Sequence, residues 1–494
     1  MSVFEPLYTA AEMRAAEEAY GGPTLDLMER AGTATAEAVL ARFPEARRFA
    51  VWCGTGANGG DGLVVARRLR ASGRDVHVLL LGPEEKIAGD AAENLRRARE
   101  ASVPFAESPG QADVVVDALF GTGFSGPPRR DAAGRIEELN GLGVPAVAVD
   151  LPSGVDASTG VVAGAAVRAA LTVTFHAPKI GLAVGPGRFH AGEVEVADIG
   201  LDSVETRHRR VTAEILAAVP RRGAEDNKYS AGYVVVVGGS RGLTGAPALA
   251  AEAAMRAGAG YVRACVPASL ADVFAHRFVE VTTSACPDDE EGRLLAAAAE
   301  VVVEAAARAD AVAVGPGLGR SDGTRRLVRD LLDRLELPVV LDGDGLWALA
   351  GHLDWVFRRE APTVLTPHSG ELARLAGRES AWVDGNRLTA VEGAADDVGA
   401  VVLLKGADTL VAAPGRGVLV CDLGNAGLAS AGTGDVLTGI AAAFLAKGMD
   451  PQQAAAAAAA AAGVAAGAAA RRHGAAGMIA RDVIAALSPA LSAA

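Results

Sequence analysis

The stretch RFAVWCGTGANGGDGLVVARRLRASGRDVHVLLL, residues 48–81, decides the fold class. It opens with a short apolar run, Arg48 to Cys53, and passes straight into GTGANGGDG (54–62). A helix is expected from about Gly62 to Ala71 and a second strand from Asp75 to Leu81. Strand, glycine loop, helix, strand is the first unit of a doubly wound α/β domain. Further strands of the same kind are expected at Ala112 to Leu119, Val144 to Asp150 and Leu171 to Phe175. The first two end in polar, Gly-rich loops, FGTGFSGP (120–127) and LPSG (151–154). These loops should meet GTGANGGDG at the carboxyl edge of one parallel sheet, where open α/β sheets bind their ligands. Upstream, Thr9-Ala10-Ala11-Glu12 reads as a capping box that leads two helical stretches up to about Phe43.

At 494 residues the chain is too long for one ordinary core and fits two domains. Half the residues are hydrophobic and 22% are charged, which describes a globular chain and excludes a disordered one. A net charge of −13 argues against nucleic acid as a partner, although loop amides can still hold a small anion. Cys53, Cys265, Cys286 and Cys421 are far apart with no Cys-x-x-Cys spacing, as expected of reduced, mostly buried thiols in a cytosolic protein. The eight histidines show no zinc spacing, and the first twenty residues, with Glu5, Glu12, Arg14, Glu17 and Glu18, show no secretory signal. Ala454 to Ala470 is uncharged and nearly pure alanine. Asp450 and Pro451 look like its N-cap and first residue, Arg471 and Arg472 suit its C-terminal end, and a buried helix is expected there, not a membrane span.

From Glu205 to Asn227 the chain becomes strongly charged, so a boundary is expected near 218, dividing it into domains 1–218 and 219–494. The second half begins with a buried strand, Tyr233 to Val237, and the loop GGSRGLTGAP (238–247). Strands follow at Ala311 to Val314 before GPGLG, Pro338 to Leu341 before DGDGL, Thr363 to Leu365 before TPHSGE, and Val401 to Leu404 before KGADT. GNAGLASAGTGDVLTGIAAAFLAK (424–447) then turns from a run of small residues directly into an apolar helix at Gly432-Thr433-Gly434-Asp435. Small residues let backbone N–H groups approach an anion, and a helix starting there adds its positive end. Asp435, in the first turn, can take a proton from an attacking hydroxyl while the amides hold a phosphoryl group; the bland reading is a tight turn with an Asp cap. None of these loops is a G-x-x-x-x-G-K-[ST] P-loop.

In the first half, Gly54, Gly56 and Gly59 match G-x-G-x-x-G, but the strand ending Leu79-Leu80-Leu81-Gly82 supplies no acidic residue for a ribose. Asn58, Asp117 and Ser153 offer oxygen ligands, which suit a hard cation such as potassium or magnesium. The alternative for Asp117 and Asp150, from spacing alone, is that they simply cap loops.

GTGANGGDG, DALFGTGFSG (117–126), VDLPSG (149–154) and FHAPKIG (175–181) together resemble the YjeF amino-terminal domain, the NAD(P)H-hydrate epimerase, over roughly residues 8–215. The resemblance implies a Rossmann-like doubly wound sheet and a K⁺ site at Asn58, Asp117 and Ser153. It assigns the hydrated nicotinamide nucleotide to Ala57, Asn58, Gly59, Gly60, Asp61, Gly121, Thr122, Gly123, Phe124, Ser125, Gly126, Pro127 and Asp150. Family members commonly carry Asn where Ala57 stands, a loss of one polar contact. Epimerisation at C6 breaks and re-forms a carbon–oxygen bond and needs an acid/base group. Asp150 is the first candidate and Lys179 the second, with a structural ion pair as the alternative for both.

GGSRGLTGAP, RAGAGYV (256–262), GPGLG, TPHSGE, LLKGADT and NAGLASAGTGDVLTG resemble the ADP-dependent NAD(P)H-hydrate dehydratase, of the ribokinase-like α/β class, over about residues 225–490. The resemblance implies the hydrate against Ala246, Gly317, His368 and Asp435, and the adenine nucleotide along Lys405, Gly406, Ala407, Asp408 and Thr409 and against Gly434. Asp435 is then the base that lets ADP phosphorylate the C6 hydroxyl, with Mg²⁺ neutralising charge. His368 could instead be a loop histidine satisfied by backbone, and Lys405 a surface lysine. The expected ligands are therefore NADH hydrate, NADPH hydrate and ADP, in a cytosolic homo-oligomer without a membrane partner. A sugar or vitamin kinase of the ribokinase class with an accessory or inactive first domain is the competing reading.

Overall fold

Val-, Ala- and Phe-rich runs bounded by glycine and proline form two predominantly parallel sheets in the computed structural model, which describes residues 2–492. Strand β1 (Phe4–Leu7) belongs to the larger sheet. The smaller comprises β2 (Arg48–Cys53), β3 (Asp75–Leu80), β4 (Val114–Ala118), β5 (Ala146–Val149), β6 (Leu171–Phe175) and β7 (Glu193–Ala197). Its order is β3-β2-β4-β5-β6-β7 and every neighbouring pair is parallel. Central strands covered on both faces read as unbroken apolar runs, as β4 and β5 do.

Around this sheet, α1 (Ala10–Glu18) begins at the expected Thr9/Glu12 capping box, followed by α2 (Thr24–Arg42). Together with α3 (Ala57–Ala71) and α4 (Gly89–Glu100) they bury one face, Leu27, Leu63 and Leu95 joining Val51, Val76 and Val116. On the other, α5 (Arg130–Gly141) packs Ile136 and Leu139 with Trp52 and Val115. Helix α3 starts at Ala57, five residues before the expected Gly62, so most of GTGANGGDG is helix and not loop. The reason is close approach: a Cβ on Gly59 would lie 1.9 Å from the Gly54 carbonyl oxygen. From β2 the chain passes to β3 on one side and then returns past β2 to β4, so the order reverses between β2 and β4.

The larger sheet adds β8 (His208–Val211), β9 (Tyr233–Val237), β10 (Tyr261–Pro267), β11 (Thr282–Cys286), β12 (Ala311–Val314), β13 (Val339–Leu341), β14 (Thr363–Leu365), β15 (Val401–Leu404), β16 (Thr409–Ala412) and β17 (Leu419–Cys421). The order is β1-β8-β17-β16-β15-β14-β13-β12-β9-β10-β11, parallel from β11 to β15 and antiparallel at β15–β16 and β16–β17. Here the reversal falls between β9 and β12. The chain thus forms two units, one built from Pro6–His208 and the other chiefly from Arg209 onward, because β8 pairs with β17 in the larger sheet.

Helices α6 (Gly245–Arg256), α7 (Ser369–Ala376), α8 (Thr433–Ala446), α9 (Pro451–His473) and α10 (Ala480–Ser492) belong to this second unit. Helices α6 and α8 touch backbone to backbone: a Cβ on Gly439 would lie 2.0 Å from the Ala250 carbonyl oxygen. The alanine helix α9 is capped by Asp450, which accepts from Gln453 N–H, and has Pro451 in its first turn as expected. Ala454 to Ala462 are buried inside the unit.

Candidate active sites

At the reversal of the smaller sheet, Gly54 N–H donates to Ala118 O at 2.9 Å, and a Cβ on Gly54 would meet Leu119 O at 2.1 Å. The loops after β2 and β4 therefore touch through bare backbone. Asn58, in the first turn of α3 and only 8% exposed, lies at this junction, where a Cβ on Gly121 would be 3.1 Å from its Oδ1. Neither Oδ1 nor Nδ2 of Asn58 has a hydrogen-bond partner among the described residues. Leaving a buried polar group unpaired costs about 1–3 kcal/mol, so the amide has unused hydrogen-bonding capacity at this junction.

Asp117, fully buried at the end of β4, accepts from Ser153 N–H at 2.8 Å, Ser153 Oγ at 2.6 Å and Leu119 N–H at 3.2 Å. Burial pushes it up to about 6 against these hydrogen bonds. Ser153 Oγ also accepts from Phe120 N–H at 2.9 Å. The three expected cation residues thus surround the junction of two loops, Asn58 beside Gly121 and the Asp117–Ser153 pair beside Phe120. Carboxylate, amide and hydroxyl oxygens, with no group of three or more His, Cys, Asp or Glu among the described residues that could hold a metal, fit a hard cation better than a transition metal.

The rest of the expected nucleotide loop forms a rim. Phe124 stacks on Phe120 at 5.1 Å, while Gly123, Ser125, Gly126 and Pro127 are exposed, as is Ala57.

Asp150 leaves β5 with φ +67°, a conformation that costs a residue with a side chain about 1–3 kcal/mol. Its Oδ1 lies 2.7 Å from Lys179 Nζ and accepts from Thr174 Oγ1 at 3.2 Å. Lys179, completely buried, also donates to Thr174 Oγ1 at 2.9 Å and Phe175 O at 2.8 Å. Both candidates for the acid/base role are therefore one ion pair. Burial, then the charges of Asp150 and Glu17, raise Asp61 well above the usual carboxylate range, and burial with Asp150 also raises Glu17. Sequence reading missed Glu17, which sits on α1 among other glutamates with nothing local to single it out.

At the reversal of the larger sheet, the loops after β9 and β12 close on each other. Gly239 N–H donates to Pro316 O at 3.0 Å and Ser240 Oγ to Gly317 O at 2.9 Å. Gly317, at φ +63°, faces Ala246 in the first turn of α6: a Cβ there would be 3.3 Å from that of Ala246. Gly432, at φ +90°, caps α8 without any side-chain hydrogen bond to its N-terminus.

Asp435, half-buried in the first turn of α8, is raised to about 7, first by burial and then by the neighbouring charge of Asp342, with Lys405 opposing. Lys405 Nζ is 2.7 Å from Asp342 Oδ1 and 4.0 Å from Glu371 Oε2, and a Cβ on Gly434 would come within 3.4 Å of it. Burial disfavours the Lys405 charge, but Asp342 and Glu371 more than offset this and raise it. Lys405 is thus a member of the corner and not a surface lysine. Gly406 and Ala407 are exposed, Asp408 is buried, and Thr409 Oγ1 donates to Gly406 O at 3.0 Å.

His368 N-caps α7, its Nδ1 accepting from Gly370 N–H at 3.0 Å. The backbone-satisfied reading is therefore correct for Nδ1, while Nε2 lies 3.6 Å from Glu371 Oε2 on a side chain that is 62% exposed.

Sequence reading missed Asp342. Its carboxylate accepts from Lys405, from Thr366 Oγ1 at 2.8 Å and from Thr438 Oγ1 at 2.8 Å, tying three strand ends and α8 together. Its position as the first residue after β13, like Lys405 after β15, was the available signal.

The family model described as NAD(P)H-hydrate dehydratase matches residues 234–489, and that of the YjeF-related protein N-terminus matches residues 24–181. The bifunctional NAD(P)H-hydrate repair enzyme Nnr of Moorella thermoacetica is 43% identical over 97% of this chain and 95% of its own length. The enzyme of the same name from Escherichia coli is 36% identical over 96% and 91%.

The chain belongs to the bifunctional NAD(P)H-hydrate repair enzymes.

A ribokinase-like superfamily protein from Enterococcus faecalis V583 aligns with TM-score 0.50 at 22% identity, covering 59% of this chain and 98% of that one, which supports the ribokinase-like fold of the second unit. In this NAD(P)H-hydrate repair enzyme the epimerase-type and dehydratase-type halves each carry their polar cluster at a strand-order reversal, as open α/β sheets do.

Proposed function

We propose that residues 1–218 interconvert the R and S epimers of NADH and NADPH hydrate, and that residues 219–494 dehydrate the S epimer at the expense of ADP, giving AMP and phosphate. The observation that carries this reading is Asp435: a carboxylate raised to about 7, at the uncapped start of α8 and beside Lys405. A general base works best with a proton affinity near the operating pH, and the amides of a helix start suit the charge of a phosphoryl group in transfer.

Hydroxide leaves poorly. Asp435 accepts the proton of the C6 hydroxyl while that oxygen takes the β-phosphoryl group of ADP. Phosphate then departs from C6 with electron release from the ring nitrogen, and loss of a proton from the adjacent ring carbon restores the dihydronicotinamide. Lys405, held by Asp342, binds the nucleotide phosphates, with Lys405 to Thr409 and Gly434 lining the nucleotide. Ala246, Gly317 and the Nε2 edge of His368 orient the hydrate. Mg²⁺ would neutralise the charge of the ADP phosphates, and Asp344, whose field reaches Asp435, is the carboxylate that would hold it.

In the epimerase half, Asn58, Asp117 and Ser153 would hold K⁺, which supplies a fixed positive charge beside the nucleotide. The unpaired buried Asn58 amide supports this assignment. Asp150, held in place by Lys179 at 2.7 Å and by the Thr174 hydroxyl, exchanges the proton of the C6 hydroxyl. Four buried cysteines, none of them in a disulfide, accord with a reducing, cytosolic setting.

The test incubates the purified chain with mixed-epimer NADH hydrate, Mg²⁺, K⁺ and either ADP or ATP, and follows dihydronicotinamide absorbance. Full recovery of both epimers with ADP is expected. Recovery that slows sharply once the S epimer is consumed would remove the epimerase assignment, and a stable phosphorylated product would favour the kinase reading.

A further inference from the structure

Helices α6 and α8, whose N-terminal turns carry Ala246 and Asp435, end together on the far side of the second unit at a groove of about 440 Å³. Four cations line it: Arg256, the last residue of α6, Lys447, directly after α8, and Arg221 and Arg222 from the segment preceding β9. Among the described residues no carboxylate lines the groove and none of the four cations forms an ion pair. Asp226 reaches Arg222 only through its field. The floor is apolar, with Met255 and Leu491.

Cations at helix C-termini are ordinary and favourable, and that accounts for part of the arrangement. Arg222 Nη2 donates to Ala259 O at 2.8 Å and Lys447 Nζ to Pro220 O at 3.0 Å. These acceptors are neutral, however, and leave four positive charges gathered on a chain whose net charge is −13. Lys447 shows the cost, since burial and then Arg222 lower its affinity for a proton. Arg222 thus reaches the backbone just past the end of α6, but Arg221 comes from outside either helix, and helix capping does not explain why it joins the same groove. An anion would relieve the repulsion, and the volume lies within the roughly 300–1,000 Å³ of small-molecule sites.

We propose that this groove binds a phosphorylated small molecule, its phosphate or pyrophosphate group held by Arg221, Arg222, Arg256 and Lys447. The site is separate from the nucleotide corner: α8, with 14 residues, sets its two ends about 20 Å apart.

Inorganic pyrophosphate is the probe, titrated calorimetrically into the full chain. The catalytic corner also attracts pyrophosphate, so the same titration is run on Lys405→Ala and on Arg221→Ala/Arg256→Ala, two residues that are both exposed. A binding event should survive Lys405→Ala and weaken at least tenfold in the double arginine variant, with hydrate repair by that variant unchanged. It should also weaken between 50 and 200 mM salt, as contacts made by several cations do. Circular dichroism verifies that the double variant is folded, and Arg256→Lys in the Arg221→Ala background should restore part of the affinity. Loss of all binding in Lys405→Ala, or equal binding by wild type and the double variant, would overturn the proposal.

Discussion

Replacing Asp435 by Asn should abolish dehydration and at the same time stabilise the second unit at alkaline pH. The carboxyl is raised from 3.8 to about 7, chiefly by burial and by Asp342. The folded state therefore holds this proton more tightly than the unfolded chain. For this group the sign is that of a raised acid: no penalty below pH 3.8, a penalty that grows between 3.8 and about 7, and the full cost above 7. Three pH units correspond to about 4 kcal/mol at 1.36 kcal/mol per unit, and about 2 kcal/mol is a fairer figure for a half-buried side chain that water still screens. Asn carries no such charge. Asp435→Asn should thus raise the unfolding midpoint of the second unit at pH 8 and do so progressively less toward pH 4.

Catalysis reports the same equilibrium from the other side. The wild-type rate on S-hydrate at limiting substrate should fall about tenfold per pH unit below 7, because only the ionised carboxylate accepts the proton. The variant should lose about 10²-fold or more in turnover. The assay follows dihydronicotinamide absorbance from pH 5 to 9, paired with thermal denaturation of both proteins at pH 5 and 8. A flat rate profile down to pH 5, or an Asn variant no more stable than wild type at pH 8, would refute this account of Asp435.

Asp342→Asn removes the negative charge beside Asp435 and the partner of Lys405, so the pH midpoint of dehydration should shift to lower pH and the KM for ADP should rise. Breaking a buried pair from one side should cost about 3 kcal/mol in stability, measured by chemical denaturation. Asn58→Ala should remove the dependence of epimerisation on K⁺, measured as the rate of R-to-S conversion over a K⁺ titration, and leave S-hydrate dehydration as it was; K⁺ activation that persists would exclude the assigned cation site. Gly439→Ala places a Cβ 2.0 Å from the Ala250 carbonyl oxygen, where only backbone movement of α6 or α8 gives room, so a loss of at least about 1–3 kcal/mol is expected by thermal unfolding, with dehydration reduced alongside.

Strands buried on both faces left the plainest record in the sequence. Leu171–Phe175, Tyr233–Val237, Ala311–Val314, Thr363–Leu365 and Val401–Leu404 lie where their apolar runs predict, because each is closed by glycine, proline or charge and has nothing else to become. The start of α3 was less legible, since glycine is a poor helix former and Gly59 and Gly60 read as loop. Their reason for being glycine, a contact of Gly59 with the Gly54 carbonyl and of Gly60 with Met28, becomes visible only when the chain is folded.

The same distinction divides the site residues. Lys405 at a strand end, and Asp435 and Asn58 in the first turns of helices, stand in glycine-rich stretches whose local composition announces chemistry. Asp342 ends a strand too, but what makes it matter are hydrogen bonds to Thr366, Lys405 and Thr438, at separations of 24, 63 and 96 residues. No window of sequence contains that set. A parallel sheet brings strand ends to one edge whatever their spacing in the chain, so composition can point to the edge, while the polar hub that holds the edge together is a property of strand order. Asp342 should therefore govern the base and the nucleotide jointly: the shift in the pH midpoint and the rise in the KM for ADP should appear together in Asp342→Asn, and either one without the other would separate Lys405 from Asp435 in the mechanism.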